Sequence, residues 1–434
     1  MLMAGTVVLF LLATGCASTG ELNTPGTLTT PPASSLSTTI ANPTNSPSVA
    51  GSQAPIKVGA LYPLSGTDAI NGENMQKGHD QAIKEINAQG GIDCLGGRPL
   101  QMVYGDSRGT AEAGISETER LINQEQVVVM MGAYHSSVTI PATVVSNKYK
   151  IPWIDPNALA AEITSRGLYY VFMTTPTLEQ WAHGDAQFAY QMGGRTAVIL
   201  VPNFAFGTEG AEAWNKHLPE EGFKILGSYE YQFGAADFSS AILQVKAKDP
   251  DVLFLLANTT DAIHLTQQMK AMNYYPKMAI VNLGGGFTNP DYVLSVGAHD
   301  AEGIIVTSDW FPNENLPGAT EFTQKFKDET GILPTGLVNT TYASTWLLHD
   351  ILEEACSLDG TVIADTMHNT TFTPWPETRW VYQWSQVSFE ENGQLKQAQT
   401  VIAQYQDGNQ VTVYPSELAV AQPIWPVSGW GQRD

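Results

Sequence analysis

Basic side chains are scarce. The chain sets 21 Lys and Arg against 43 Asp and Glu, a formal net charge of −22 over 434 residues. A nucleic-acid backbone is bound by clustered Lys and Arg, so nucleic acid is excluded as a partner and the acidity describes a solvated surface. Cysteine is nearly missing too, with Cys16, Cys94 and Cys356 alone. There is no CxxC, no HExxH, no GK[ST] phosphate loop and no G-x-S-x-G nucleophile elbow, and so no metal or cofactor is expected. Gly284-Gly285-Gly286 lacks the spacing of a dinucleotide fingerprint and reads as a flexible turn after a strand. Beyond the N-terminus no apolar run is long enough to span a bilayer.

Leu2 to Ala13 is apolar, too short for a span and suited to a signal h-region. It ends in Leu12-Ala13-Thr14-Gly15-Cys16, which resembles the bacterial lipobox. That resemblance implies a signal peptide over 1–16, cleaved before Cys16, whose thiol is then lipidated. Ala13 in place of leucine and the lack of Lys or Arg before the run depart from the pattern. In residues 17–54 roughly half the side chains are Ser, Thr or Pro and Glu21 is the one charge, a composition expected to form a disordered tether.

After Pro55 strands and helices alternate. Strand patterns at Ile56–Leu61, Leu100–Tyr104, Val127–Met131 and Ile151–Ile154 are separated by helical spacing at Gly72–Ala88, Ala111–Gln124 and Ser136–Lys148. A second series follows Thr174-Thr175-Pro176, with strands at Ala197–Val201, Ile225–Tyr231, Val252–Leu256 and Met278–Asn282. Such alternation predicts βαβ units on parallel sheets, and the length calls for two lobes. Val401–Tyr405 and Val411–Tyr414, around Asp407-Gly408-Asn409, predict a hairpin.

Open parallel sheets bind ligands beyond the carboxyl ends of their strands. Here those ends are polar and rich in glycine: Tyr62 to Gly66, Gly132 to Ser137, Asp155 to Ala158, Pro202 to Gly207, Asn258 to Asp261 and Gly284 to Asn289. Ser136 and Ser137 stand where a helix begins, a place of unpaired amides and positive dipole that suits a carboxylate, although Ser136 acting only as a cap explains the same pattern. His135 beside Ser136 raises a nucleophile–base pair. Adjacent side chains rarely serve one another in that way, and no third orienting group is evident, so no catalysis is expected.

The stretches Ile56–Gly66 (IKVGALYPLSG), Gly72–Gly91, Gly132–Ala142 and Ile151–Thr164 resemble type I periplasmic-binding-protein lipoproteins. More narrowly they are similar to the branched-chain amino acid-binding, leucine-binding-protein-like proteins of ABC importers. The resemblance implies an α/β fold of two Rossmann-like, doubly wound lobes joined by a three-crossing hinge. Lobe 1 would hold 55–175 plus 308–360 and lobe 2 would hold 176–307 plus 361–434, with crossings near Thr174–Thr177, Val306–Asp309 and Leu358–Ala364. It implies an extracytoplasmic, lipid-anchored monomer that binds an amino acid or related small carboxylate or amide and delivers it to permease and ATPase subunits.

Position by position, the resemblance gives Ser136 the ligand carboxylate and Ala158 a backbone contact. Thr259 or Thr260 stands where the family has a tyrosine and Asn71 or a neighbour where it has a tryptophan, and with Gly285 and the strand-end residues Ser65, Tyr134, His135, Ser137, Asn157 and Phe204 they are expected around the solute. Leu159 replaces the family's threonine, and no acid stands near Gly284 or Gly285 to meet an ammonium. Asp155 and Asp261 are the nearest acids in sequence; otherwise the solute is not an α-amino acid, and Tyr62, Tyr134, Phe204 and Phe206 would suit an aromatic one. A sensory protein of the same fold also stays open. The implied topology puts Cys94 and Cys356 at the same end of lobe 1, and a disulfide between them is expected.

Overall fold

A computed structural model describes residues 54–430 except 284, 314, 375, 377, 378 and 383, all within the unit Ser52–Asp434. The expected signal peptide 1–16 with Cys16, and the tether 17–54 apart from its last residue, lie outside the described residues.

The first sheet is all parallel. Its strands β1 (Ile56–Tyr62), β2 (Leu100–Asp106), β3 (Val129–Gly132), β4 (Trp153–Asp155) and β5 (Val171–Met173) are ordered β2-β1-β3-β4-β5. In the second sheet β6 (Thr196–Pro202), β7 (Lys224–Tyr231), β8 (Val252–Leu255), β9 (Ala279–Leu283) and β10 (Ile305–Ser308) are parallel. The hairpin of β11 (Val401–Gln406) and β12 (Asn409–Tyr414) adds antiparallel to β10, giving the order β12-β11-β10-β9-β8-β6-β7. Central strands are apolar at nearly every position because both faces are covered, as Val129–Gly132 and Val252–Leu255 show.

The helices are α1 (Ala69–Ala88), α2 (Ala111–Asn123), α3 (Ser136–Lys148), α4 (Glu162–Ser165), α5 (Leu178–Gln191), α6 (Ala205–Glu221) and α7 (Ser239–Lys248). They continue with α8 (Thr259–Ala271), α9 (Pro290–Val296), α10 (Ala298–Ala301), α11 (Ala319–Thr330), α12 (Gly336–Ala355) and α13 (Gly360–Asn369). Helix α12 packs along α1, and glycine lets them close: a Cβ on Gly78 would stand 2.1 Å from Thr341 Oγ1 and 2.2 Å from the Val338 carbonyl oxygen. Among the described residues no helix is long and apolar enough to cross a membrane.

The lobes meet through three neighbouring segments. The first leaves β5 at Thr174, and the second leaves β10 at Asp309, whose Oδ1 accepts from Thr175 Oγ1 at 3.0 Å. In the third, Gln394 pairs with Met173 and donates to the Thr175 carbonyl at 3.1 Å, and Thr400 Oγ1 donates to the Gln180 carbonyl at 3.0 Å. The expected third crossing near Leu358–Ala364 is thereby corrected. Ile363, Ala364, Met367, Phe372, Trp380, Val387, Phe389 and Leu395 all pack in the core with β1, β3 and α12. Residues 361–395 therefore extend lobe 1, and the chain returns to the second sheet only at β11. Burial of those apolar side chains supplies the reason, since α13 and the segment after it have no other core to join.

Candidate functional site

Both β5 and β10 run into the hinge at their carboxyl ends, so the carboxyl edges of the two sheets lie on the hinge side. The loops on those edges are the ones singled out from sequence.

On lobe 1, β3 ends at Gly132, which has φ +109° and where a Cβ would stand 2.4 Å from the Leu61 carbonyl oxygen. Only glycine fits there, and the chain turns into α3. The N-cap is His135, not Ser136, and its side chain makes no capping bond. The first helical bonds run from the Val138 and Thr139 amides to the His135 carbonyl, at 2.9 Å each, so the Ser136 and Ser137 amides precede them. No acidic residue stands in the first turn of α3 to offset its dipole. Ser136 Oγ accepts from the Ala160 amide at 3.2 Å and keeps its own proton to donate, while Ser137 is exposed.

Side chains around this helix start form one wall. His135 Nε2 meets Asp68 Oδ2 at 3.2 Å, and that imidazole is the main reason Asp68 titrates below the usual carboxylate range. The Tyr134 ring stands edge-on to His135 at 4.9 Å, its hydroxyl accepts from Asn71 Nδ2 at 3.4 Å, and burial pushes its phenol up to about 12. His135 thus engages Asp68 while Ser136 Oγ engages Ala160, and the two do not form a nucleophile–base pair. Ser65 lies further out, donating to Asp106 Oδ2 at 2.6 Å.

The loop after β4 is closed on itself. Asp155 Oδ1 accepts from the amides of Asn157 (3.1 Å) and Ala158 (2.9 Å), and Asn157 Nδ2 donates to Thr340 Oγ1 of α12 at 2.8 Å. The Ala158 amide is therefore already engaged, and the backbone contact expected of it reduces to its carbonyl. Asp155 is fully buried with no partner for Oδ2; burial raises its carboxyl well above the ordinary range, and the neighbouring Asp309 adds to the effect.

On lobe 2, Thr259 and Thr260 open α8, where the Asn258 side chain accepts from the Asp261 amide at 2.8 Å. The turn after β9 lies directly on that helix start. Gly285 has φ +63°, and a Cβ on Gly286 would stand 2.1 Å from the Asn258 carbonyl carbon. Thr259, Thr260 and Gly285 are thus brought together. Phe204, 40% exposed, follows the neighbouring strand β6 on the same edge, in an aromatic group with Phe233 (4.8 Å) and Phe206 (6.4 Å). Asp261 is buried, its Oδ2 accepts from the Gly234 amide at 3.2 Å, and burial raises its carboxyl.

A cavity of 320 Å³ opens beside the crossings, lined by residues including Thr164, Thr177, Gln180, His183, His217 and Gln394. Its imidazoles are engaged, His183 with Glu221 at 3.1 Å and His217 with Glu220 at 2.7 Å. None of the residues expected around a solute lines it. Sequence reasoning missed the buried acid of the second crossing, Asp309, raised to about 7 by burial against the partial offset of the Thr175 hydroxyl. Its one signal was an acid placed directly after a strand. Among the described residues no group of His, Cys, Asp and Glu is suited to hold a metal ion.

Residues 55–409 match the periplasmic binding protein family. The chain is 29% identical over 387 residues to Leu/Ile/Val-binding protein homolog 7 of Brucella abortus (strain 2308), covering 86% of this chain and 94% of that one. Among solved structures, the branched-chain amino acid transporter substrate-binding protein LivJ of Streptococcus pneumoniae, in complex with isoleucine, aligns with TM-score 0.72 at 21% identity, over 86% of this chain and 100% of that one. A solute-binding protein of an ABC transporter from R. palustris, in complex with benzoate, aligns with TM-score 0.71 at 20% identity, over 85% and 98%.

Proposed function

The chain belongs to the periplasmic binding protein family of non-catalytic ABC transporter solute-binding proteins, and within it we propose that this protein takes a small organic carboxylate lacking an α-ammonium, an aromatic acid foremost. The carboxylate sits on the Ser136 and Ser137 amides at the start of α3 and accepts from Ser136 Oγ. Closure about the three crossings brings Thr259, Thr260 and the Gly285 turn over its other side, so that contacts to both lobes favour the closed state. No covalent chemistry is needed.

The observation that carries this reading is the state of the acids. An ammonium enclosed without a counter-charge costs several kcal/mol. Asp155 and Asp261 are buried, each holds backbone amide N–H of its own lobe through one oxygen, and burial raises both carboxyls toward the neutral form, while Asp68 is paired with His135. A carboxylate, by contrast, meets an uncompensated helix end. The exposed ring of Phe204 beside Phe233 suits an aromatic body, and the R. palustris relative is described with benzoate. Branched-chain amino acids are the second reading, favoured by the Brucella abortus and LivJ relatives.

A thermal-shift series with benzoate, 3,4-dihydroxybenzoate, leucine and isoleucine separates the two. A solute at a hundred times its Kd adds about 2.7 kcal/mol, so benzoates should raise Tm and leucine should not. Stabilisation by leucine alone returns the site to amino acids. Silence from every carboxylate overturns the docking on α3. In the cell, the protein is held outside the cytoplasmic membrane by lipid on Cys16 and works as a monomer with permease and ATPase subunits. A mature N-terminus lacking a lipidated Cys16, read by mass spectrometry, would refute the anchor.

A further inference from the structure

We propose that Cys94 and Cys356 join in an intramolecular disulfide as the protein matures, stapling the turn between α1 and β2 to the end of α12 inside lobe 1. The sulfurs are already neighbours across 262 residues of sequence. The Cys356 thiol donates to the Cys94 carbonyl at 3.2 Å, and the Cys94 thiol donates to the Leu352 carbonyl at 3.5 Å. Both are exposed free thiols in this structure, open to an exchange partner.

The surrounding backbone holds the pair in place. Cys94 sits in the 3-10 turn Asp93–Leu95, closed on both sides by the Ile92 amide donating to Arg98 (2.9 Å) and the Gly97 amide donating to Ile92 (2.9 Å). Glu353, one turn before the end of α12, accepts from the Asp93 and Cys94 amides, the latter at 2.9 Å. Cys356 is the C-cap of α12 in the left-handed conformation, φ 43°. Partial burial, then the Cys356 thiol and the Glu353 carboxylate, push the Cys94 thiol up to about 12. Reduced Cys94 therefore gains little from ionising, which favours the oxidised form.

The reaction is thiol–disulfide exchange with a disulfide oxidant. One cysteine sulfur, giving up its proton, attacks the oxidant's S–S bond and forms a mixed disulfide as one oxidant thiol leaves. The second cysteine sulfur then attacks that mixed disulfide, making the Cys94–Cys356 bond and releasing the other oxidant thiol. Two protons and two electrons pass from the cysteines to the oxidant. Persistence of the bond rests on the extracytoplasmic location proposed above. The staple lies at the amino-terminal edge of the first sheet, far along α12 from the strand ends that face the hinge, so it braces one lobe and leaves closure free.

The test uses the purified full chain, first reduced and then incubated with oxidised glutathione, alkylated and mapped by peptide mass. A cross-linked peptide containing Cys94 and Cys356 is expected, with Tm higher by about 5 °C than in the reduced protein. That difference should vanish in Cys94→Ser and in Cys356→Ser. Both thiols alkylated after oxidation, a bond to Cys16 or to a second chain, or a Tm difference that persists in Cys94→Ser would overturn the staple. Protein exported to the periplasm of an expression host should arrive already bonded. If it arrives reduced although glutathione oxidises it readily, maturation on export is overturned and the bond's geometry stands.

Discussion

Replacing Asp309 by asparagine should change how stability follows pH. Asp309 lies on the second crossing, is 7% exposed, and its carboxyl is raised from an ordinary 3.8 to about 7, chiefly by burial. Between those two values the folded protein holds a proton that the unfolded chain has lost. The associated stability is complete below pH 3.8 and disappears as pH rises through about 7. At about 1.36 kcal/mol per pH unit, the roughly three-unit gap amounts to about 4 kcal/mol by pH 8. Asparagine cannot ionise, yet its side-chain carbonyl can still accept from Thr175 Oγ1, which bonds the aspartate at 3.0 Å. The Asp309→Asn protein should therefore match the parent near pH 4 and exceed it by a margin that grows to about 4 kcal/mol at pH 8. Urea unfolding followed by tryptophan fluorescence, at intervals from pH 4 to pH 8, reads that margin directly. Some slope will survive in the variant, because Asp155 and Asp185 are buried and raised as well. A margin that stays flat, or shrinks as pH rises, would refute the assignment of a protonated carboxyl to the hinge.

Two further substitutions probe the site and the packing. Ser136→Ala removes a hydroxyl that would donate to a solute carboxylate, worth about 1.5–3 kcal/mol. Calorimetry with the solute found in the thermal-shift series should show Kd weakened roughly tenfold to a hundredfold, and an unchanged Kd would place the carboxylate elsewhere. Gly78→Ala gains about 1 kcal/mol of helix propensity but drives a methyl into the Val338 carbonyl, 2.2 Å from the ideal Cβ position. Backbone cannot yield as a side-chain tip can, so a net loss of about 2 kcal/mol or more is expected in urea unfolding. An alanine protein as stable as the parent would mean that α1 and α12 are not in close contact.

Much of the fold was legible because it is periodic. Helix α3 starts at Ser136 and ends at Lys148 as its spacing predicts, and the hairpin of β11 and β12 turns at Asp407-Gly408. What escaped notice lacks a period. Strand β5 is three residues long and, unlike the equally short β4 after α3, follows no long helix that would mark its place. The segment after α13 is buried by separate aromatics, among them Phe372, Trp380, Tyr382 and Trp384, with isolated bridges in place of strands. Nothing in its spacing shows which lobe those rings enter, and the third crossing was consequently set about thirty residues too early. In the site, the sequence could show where acids stand but not what holds them. Asp155 reads as a free carboxylate at a strand end until the Asn157 and Ala158 amides are seen to bond it.

The same distinction explains how a chain of net charge −22 can bind an anion. Surface charge acts at long range and is screened over about 8–10 Å at physiological salt, whereas a helix end acts within its first turn. Helices α5 and α8 each carry an acid in that turn, Glu179 and Asp261, which offsets their positive ends. Helices α3 and α6 carry none, and neither receives a capping bond from a side chain. Helices α1 and α7 also lack both, but an acid stands just before each, Asp68 and Asp237; α3 and α6, which follow β3 and β6, hold Ser136 and Phe204 at their starts instead. A solute with a carboxylate for the start of α3 and an aromatic body for the Phe204 ring fits these two starts, and an ammonium added beside the carboxylate would face a positive helix end with its nearest acids held toward the neutral form or paired.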